Sequence, residues 1–179
     1  VSRSAAGYFL AVQTPFGIVL PSALLGLRAR EPKTTLSDVG VPLGARDVVA
    51  AVAALLAGGF MVVLALSENL AETDVTRVVT LFAQLLVAST AEVLIFTGLL
   101  LALARGWCAE LGRWEMPIAV VVSSLAFGLF HFTYPPPWAT WGVAFGLTVV
   151  WLGVNVVFLL THALLAAVLF NNCMAVIGF

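Results

Sequence analysis

Long apolar runs separated by short polar connectors make up most of this chain. The runs at about 5–27, 48–66, 78–104 and 116–132 each approach the ~20 residues that a helix needs to cross a bilayer. The last stretch, 139–179, contains no Asp, Glu, Lys or Arg and has the length of two further spans. We expect these two to hinge near Gly153–Asn155. The pattern therefore predicts about six transmembrane helices.

Glycine spacing within the runs marks places where helices can approach each other. Gly58–Gly59 permits a kink or a close crossing, and Gly142 and Gly146 form a small-xxx-small pair, as do Ser124 and Gly128. For Gly142 and Gly146, chance in a helix rich in small residues is an equally good explanation.

Composition supports a membrane protein. Of the 179 residues, 62% are hydrophobic and only 9% are charged, whereas soluble domains carry about 25% charged residues. The runs lack the alternation that a β-barrel requires. We therefore predict an all-α, polytopic membrane bundle that forms a single integral-membrane domain over 1–179. A net charge of −1 gives no electrostatic reason to expect a nucleic-acid partner.

The distribution of basic residues predicts the orientation. The first and third connectors, 28–47 and 105–115, hold six of the eight Lys and Arg residues, and Arg3 and Arg77 lie on the opposite side. Short loops rich in Lys and Arg stay in the cytoplasm. We expect these two connectors to be cytoplasmic, in a prokaryotic-type cell membrane.

One carboxylate, Glu92, lies near the middle of the third span. A charge at mid-depth costs at least ~2.5 kcal/mol on insertion scales, so Glu92 must face other protein or a wet cavity. Two interpretations stay open. Glu92 is either a neutral carboxyl group hydrogen-bonded to a neighbouring helix or a group that takes part in chemistry or ligand binding.

Two histidines lie on other spans. His131 closes the fourth run, four residues after Phe127 and on the same helical face, and His162 follows Thr161 within an apolar helix. Each also has a structural interpretation, as an interfacial side chain with a wet tip for His131 and as a packed imidazole bonded to a backbone carbonyl for His162.

Together, Glu92, His131 and His162 suggest three kinds of site. They could converge on a water molecule, with Glu92 as the base and the imidazoles orienting the water or stabilising an oxyanion. They could equally form a His₂Glu shell for zinc, if the chemistry depends on a metal. A single histidine could instead be an axial ligand to haem or to a chlorophyll-type ring, although no motif requires one.

The order and spacing of these residues resemble the CPBP family, the CAAX-prenyl-protease and bacteriocin-processing membrane proteins also called Abi or Rce1-like. That family carries Glu-Glu-x-x-x-Arg, Phe-x-x-x-His and His-x-x-x-Asn/Asp on successive helices. Here the motifs read Glu92-Val-Leu-Ile-Phe-Thr97, Phe127-Gly-Leu-Phe-His131 and His162-Ala-Leu-Leu-Ala166. The similarity spans about 78–170.

The resemblance implies an intramembrane endopeptidase that cleaves a peptide or a lipidated protein tail. Glu92 and His131 would be the pair that activates water, and His162 would be the oxyanion or metal residue.

Three positions depart from the family pattern. Val93 replaces the second Glu, Thr97 the Arg and Ala166 the final Asn. Losing one oxyanion donor typically costs ~10²–10³ in rate. Asn155, Asn171 and Asn172 lie too far along the chain to replace the lost Asn by simple register.

These departures keep a second hypothesis open: a non-catalytic descendant of the family that serves as a subunit of a larger assembly. Such a subunit would pack against partner helices, lipid or pigment. The sequence alone does not decide between turnover and this accessory role.

Overall fold

The computed structural model describes residues 17–28, 44–67, 74–134 and 138–178, and the side chains of 25–28 and 178 lie outside the description. Within these ranges the regular structure is helical, with no strand. Its helices are α1 (Leu20–Arg28), α2 (Ala45–Leu66), α3 (Val75–Trp107), α4 (Glu115–Phe130), α5 (Trp141–Thr161) and α6 (Leu164–Gly178).

Four of these helices, α2 to α5, are long and apolar enough to cross a membrane, when α4 is taken with the 3₁₀ turns that flank it (Ala109–Thr133). The apolar part of α6, Leu164–Ile177, is shorter. The prediction of an all-helical membrane bundle is confirmed. Most of the predicted first span, 5–27, lies outside the described residues, which include its part from residue 17 onward.

Helix starts follow local capping chemistry. The Asp74 side chain accepts a hydrogen bond from the backbone N–H of Thr76 at the start of α3 (2.9 Å), and the Thr140 hydroxyl accepts one from Val143 at the start of α5 (3.3 Å). Such caps satisfy donors that the first helical turn leaves unpaired. The ends of the apolar runs are therefore also helix ends.

The predicted hinge near Gly153–Asn155 is wrong, because α5 passes through these residues without a break. The chain turns instead at His162, whose left-handed backbone (φ 55°, ψ 22°) ends α5. Asn155 does not interrupt the helix because its side-chain amide bonds to groups on two neighbouring helices.

The direction of α5 defines two ends of the bundle. At the upper end, where α5 begins, the rings of Trp141 and Phe132 lie 4.9 Å apart. At the lower end, where α5 finishes, Ala163 packs with Ala54 of α2. Phe132 follows directly after α4, so α4 ends at the upper end and begins at the lower end. The turn that joins α3 to α4 is therefore at the lower end.

Two glycines allow close helix crossings. A Cβ atom at Gly128 would collide with Ala144 and Thr148 of α5, and one at Gly58 would lie 2.7 Å from Cβ of Cys173 in α6. By contrast, Cβ atoms placed at Gly142 and Gly146 would meet nothing within 4 Å among the described residues. The close crossing of α4 and α5 therefore uses the Ser124–Gly128 strip.

Candidate active site in the membrane bundle

A partly open pocket of about 140 Å³ lies between α3, α4, α5 and α6 near the upper end. A volume of this size is large enough for several water molecules. Aliphatic and aromatic side chains form most of its wall. Its polar lining residues are Ser89, Glu92, His131, Tyr134, Trp138 and Asn171.

Glu92 is the carboxylate of this pocket. The Nδ2–H of Asn171 on α6 donates a hydrogen bond of 3.0 Å to its Oε2 atom. Immediately after Glu92, α3 becomes a π-helix over Val93–Leu100. Such segments are rare and occur frequently at functional sites. The hydroxyl group of Ser123 on α4 donates to the carbonyl oxygen of Phe96 within this segment (2.7 Å).

His131 enters the pocket from the end of α4 and is only 9% exposed. Its Nδ1 atom lies 3.0 Å from the carbonyl oxygen of Phe127. A carbonyl oxygen can only accept, so Nδ1 carries the hydrogen, and Nε2 holds the lone pair of the neutral ring. Phe127 meets the ring edge-on at 4.7 Å and Tyr134 stacks on it at 5.2 Å. The ring is thus fixed with Nε2 as its acceptor atom.

His162 is not part of this pocket. It is exposed at the lower end, whereas the pocket contacts α5 at Leu147 and Val150. His162 comes twelve positions after Val150, which corresponds to ~18 Å of helix at 1.5 Å per residue. The structure therefore brings together Glu92 and His131, and its geometry gives no support to a shared site with His162. A role for His162, including that of axial ligand, stays a prediction.

The geometry gives no support to the predicted zinc shell of Glu92, His131 and His162. Among the described residues, no three His, Cys, Asp or Glu side chains are grouped so that they could hold a metal ion. Two of the three expected ligands share the pocket and the third lies at the other end of α5. The residues of this site do not fit a tetrahedral zinc centre held by three protein ligands.

Asn171 is the pocket residue that sequence reasoning missed. The signal for it was a pair of amides, Asn171 and Asn172, inside an apolar stretch without charges, where polar side chains need partners. In a His-x-x-x-Asn motif that ended at Asn171, the histidine would be at position 167. This chain has Ala167 there, and it is fully buried. Asn171 therefore brings an amide to the pocket, but no histidine lies four residues before it.

Asn172 anchors α6 against α3 next to the pocket. Its Nδ2–H donates to the carbonyl oxygen of Phe82 (2.8 Å), and its Oδ1 accepts a hydrogen bond from the hydroxyl group of Ser89 (3.0 Å). These bonds hold the neighbouring Asn171 at the level of Glu92.

A neutral polar cluster occupies the region where the family motif has its second Glu and its Arg. Val93 and Thr97 are buried, and the Thr97 hydroxyl donates to Oδ1 of Asn155 (2.8 Å). The Nδ2 group of Asn155 in turn donates to the hydroxyl groups of Ser124 (3.1 Å) and Ser123 (3.4 Å). This cluster joins α3, α4 and α5 without any charge.

Comparison with known proteins agrees with the motif resemblance. A family model described as type II CAAX prenyl endopeptidase Rce1-like matches residues 74–176. Neither the curated proteins nor the solved structures gave a match to the chain. The matched range is more than half of the chain and includes Glu92, His131 and Asn171.

Proposed function

This chain belongs to the Rce1-like family of type II CAAX prenyl endopeptidases, and from that premise we propose that it hydrolyses a peptide bond within the membrane. The observation that carries the proposal is that Glu92 and His131, whose Nε2 is the acceptor, line one pocket. These are the groups that general-base activation of water requires.

In the proposed reaction, the Glu92 carboxylate removes one proton from a water molecule, while Nε2 of His131 accepts a hydrogen bond from the O–H that remains and so orients the water. The water oxygen forms a bond to the scissile carbonyl carbon. When the C–N bond breaks, the proton held by Glu92 passes to the leaving nitrogen. A positioned base of this kind typically contributes ~10²–10⁴ in rate.

Asn171 has two functions in this proposal. One N–H of its amide holds Oε2 of Glu92, and its second N–H serves as a donor to the oxyanion. Since Ala167 supplies no imidazole, one oxyanion donor is missing. We expect turnover slower by ~10²–10³ than with a complete set of donors.

The lining of the pocket supports the proposed substrate class. Its wall is mostly apolar and its polar groups are gathered around Glu92 and His131. An apolar peptide or a lipidated protein tail suits such a wall, because its side chains lose no hydrogen bonds on entry. Membrane lipids are the surrounding partner.

The chain is an integral membrane protein, with four helices of spanning length and composition. We propose that the connectors 28–47 and 105–115 lie on the cytoplasmic side of a prokaryotic-type cell membrane, because they hold six of the eight Lys and Arg residues.

The test is cleavage of a quenched fluorescent peptide carrying a farnesyl group by the purified protein in lipid nanodiscs. We expect Glu92→Gln to lower kcat by ~100-fold or more, because the amide cannot accept the proton. His131→Ala should also lower kcat. The matched controls are Glu110→Gln and His162→Ala, at exposed positions outside the pocket, and each should keep activity within about twofold. Unchanged turnover in Glu92→Gln contradicts the proposal.

A second candidate is a non-catalytic subunit of a larger membrane assembly. The observation that favours it is the neutral cluster around Asn155, which has replaced the charged pair of the first motif. This candidate predicts that the wild-type protein cleaves no peptide and that Glu92→Gln leaves its association with partner helices intact.

A further inference from the structure

We infer that the pocket opens towards the extracytoplasmic side of the membrane, so that its substrate is an apolar polypeptide segment that enters from the outer leaflet. That the pocket binds a substrate rests on the proposed function. The direction in which the pocket opens is argued separately, from the depth of the pocket in the membrane and from the distribution of charge.

The depth of the pocket can be measured along the helices. His131 follows Trp114, which is exposed at the lower end, by roughly 25 Å of helix. Asn171, which bonds to Glu92, precedes the upper end of α6 at Gly178 by roughly 10 Å. Because the hydrocarbon core is ~30 Å thick, the two pocket groups lie within about 10 Å of the upper membrane surface.

Aromatic side chains at the pocket agree with this depth. Tyr134 and Trp138 follow directly after α4 and both line the pocket. Tyrosine and tryptophan are enriched at membrane–water interfaces, where their polar atoms remain wet. The pocket therefore lies just below an interface, at a level that water can reach.

The charges identify which interface this is. At the lower end, α2 begins with Arg46, and the turn between α3 and α4 carries Arg105 and Arg113. Among the basic side chains that the structure describes, three are therefore at the lower end and one, Arg77 near the start of α3, is at the upper end. The excess of Arg marks the lower end as cytoplasmic and the upper end as extracytoplasmic.

This geometry restricts where a substrate comes from. A polypeptide segment that emerges on the outer side, such as the end of a transmembrane span, reaches Glu92 after a short descent into the bilayer. A tail that carries its lipid on the cytoplasmic side would have to cross most of the hydrocarbon core. The expected substrates are therefore membrane or secreted polypeptides on the outer side.

The test is labelling of single cysteines in intact bacterial cells with a maleimide that does not cross membranes. In a Cys108→Ser background, Thr133→Cys places a thiol at the exposed upper end, and Leu111→Cys places one at the exposed lower end. Cys173 stays in place because it is only 2% exposed, and the Cys108→Ser protein without a new cysteine gives the background.

We expect Thr133→Cys to be labelled in intact cells and Leu111→Cys only after permeabilisation. The opposite pattern, or equal labelling of both in intact cells, overturns the inference. Ala175→Cys then tests the pocket itself with a small charged methanethiosulfonate added from outside. We expect the reagent to modify Ala175→Cys in intact cells. If Ala175→Cys is instead protected in intact cells and modified only in inverted vesicles, the inference is overturned.

Labelling does not depend on turnover, so the two proposals can fail separately. If the labelling pattern is as expected and right-side-out vesicles still do not cleave the farnesylated probe or an apolar peptide, hydrolysis fails and the orientation holds. If inverted vesicles alone cleave the probe, hydrolysis holds and the orientation is overturned.

Discussion

Asn171 and Glu92, on helices α6 and α3, are joined by a hydrogen bond of 3.0 Å between the amide Nδ2 and the carboxylate Oε2. In an apolar bundle, a carboxyl group without partners would be costly to bury, and the amide removes part of that cost. The bond uses one of the two carboxylate oxygens. It thereby fixes the orientation of Glu92 and leaves Oε1 as the atom that can meet a water molecule.

Replacing Asn171 by Leu should destabilise the fold by roughly 0.6 kcal/mol and by no more than about 1.7 kcal/mol, the average and the maximum found for side-chain hydrogen bonds within membranes. It should also lower kcat, because Glu92 loses its fixed orientation. The measurement is reversible unfolding in mixed micelles together with peptide cleavage.

The control for Asn171→Leu is a double-mutant cycle with Glu92→Leu, because Gln at position 92 could still accept the hydrogen bond from Asn171. A coupling free energy close to zero in that cycle would show that the two side chains do not interact and would refute this prediction.

Asn155 should matter more for stability than Asn171 does. It accepts from Thr97 and donates to Ser123 and Ser124, so Asn155→Leu removes three hydrogen bonds between helices. The buried Thr97 hydroxyl loses its acceptor, whereas Ser123 and Ser124 still donate to backbone carbonyl oxygens. We expect a loss of about 1–3 kcal/mol in the free energy of unfolding.

The matched control for Asn155→Leu is Thr97→Val, which has nearly the same shape and removes a single bond of the cluster. Its cost should be near 0.6 kcal/mol. Equal losses in Thr97→Val and Asn155→Leu, measured by the same unfolding assay, would mean that Asn155 does not hold the cluster together.

Hydropathy was sufficient to predict the spans because it depends on composition over about twenty residues. The predicted runs 48–66, 78–104 and 116–132 each fall on a helix of the structure or on a helix with its flanking turn. The hinge was not predictable in this way. Gly153 and Asn155 have a low helix propensity, yet the bonds of Asn155 to other helices outweigh it, and such bonds are invisible in the local sequence.

The candidate site was predictable only in part. Glu92 and His131 could be found because an ionisable side chain within a membrane span is rare and must face protein or water. Asn171 was missed because α6 is apolar nearly all round, so periodicity does not show which side chains face α3. The third motif was for the same reason placed on His162, whereas Asn171 is the amide that meets the carboxylate.

Gly128→Ala should separate α4 from α5. The added methyl group would collide with the carbonyl oxygen of Ala144 and the hydroxyl group of Thr148, and part of that contact is rigid backbone. Overpacking of this kind typically costs about 1–3 kcal/mol. Since His131 is one helical turn further along α4, cleavage should fall as well.

Gly146→Ala is the control for Gly128→Ala, because its new methyl group would meet nothing within 4 Å among the described residues. It should be neutral or stabilise the helix by roughly 0.5–1 kcal/mol, as alanine does relative to glycine in a helix interior. If both variants unfold at the same denaturant concentration, the close crossing of α4 and α5 does not exist.

The adjacent pair Gly58 and Gly59 offers the sharpest comparison at the crossing of α2 and α6. A methyl group at Gly58 would lie 2.7 Å from Cβ and 2.9 Å from Sγ of Cys173, whereas one at Gly59 would meet nothing within 4 Å of the described residues. Gly58→Ala should therefore push α6 away from α2 and destabilise the protein, while Gly59→Ala should not.

Rescue distinguishes this clash from a general intolerance of Gly58 to substitution. Because the collision is with Cβ of Cys173, Cys173→Gly should restore stability to Gly58→Ala, and Cys173→Ala, which keeps the Cβ atom, should restore much less. Asn171 lies two residues before Cys173 on α6, so displacement of this helix should also weaken the bond to Glu92. We therefore expect cleavage to fall and recover together with stability in the unfolding and cleavage assays. Recovery of stability without recovery of cleavage would show that the position of α6 does not control the orientation of Glu92.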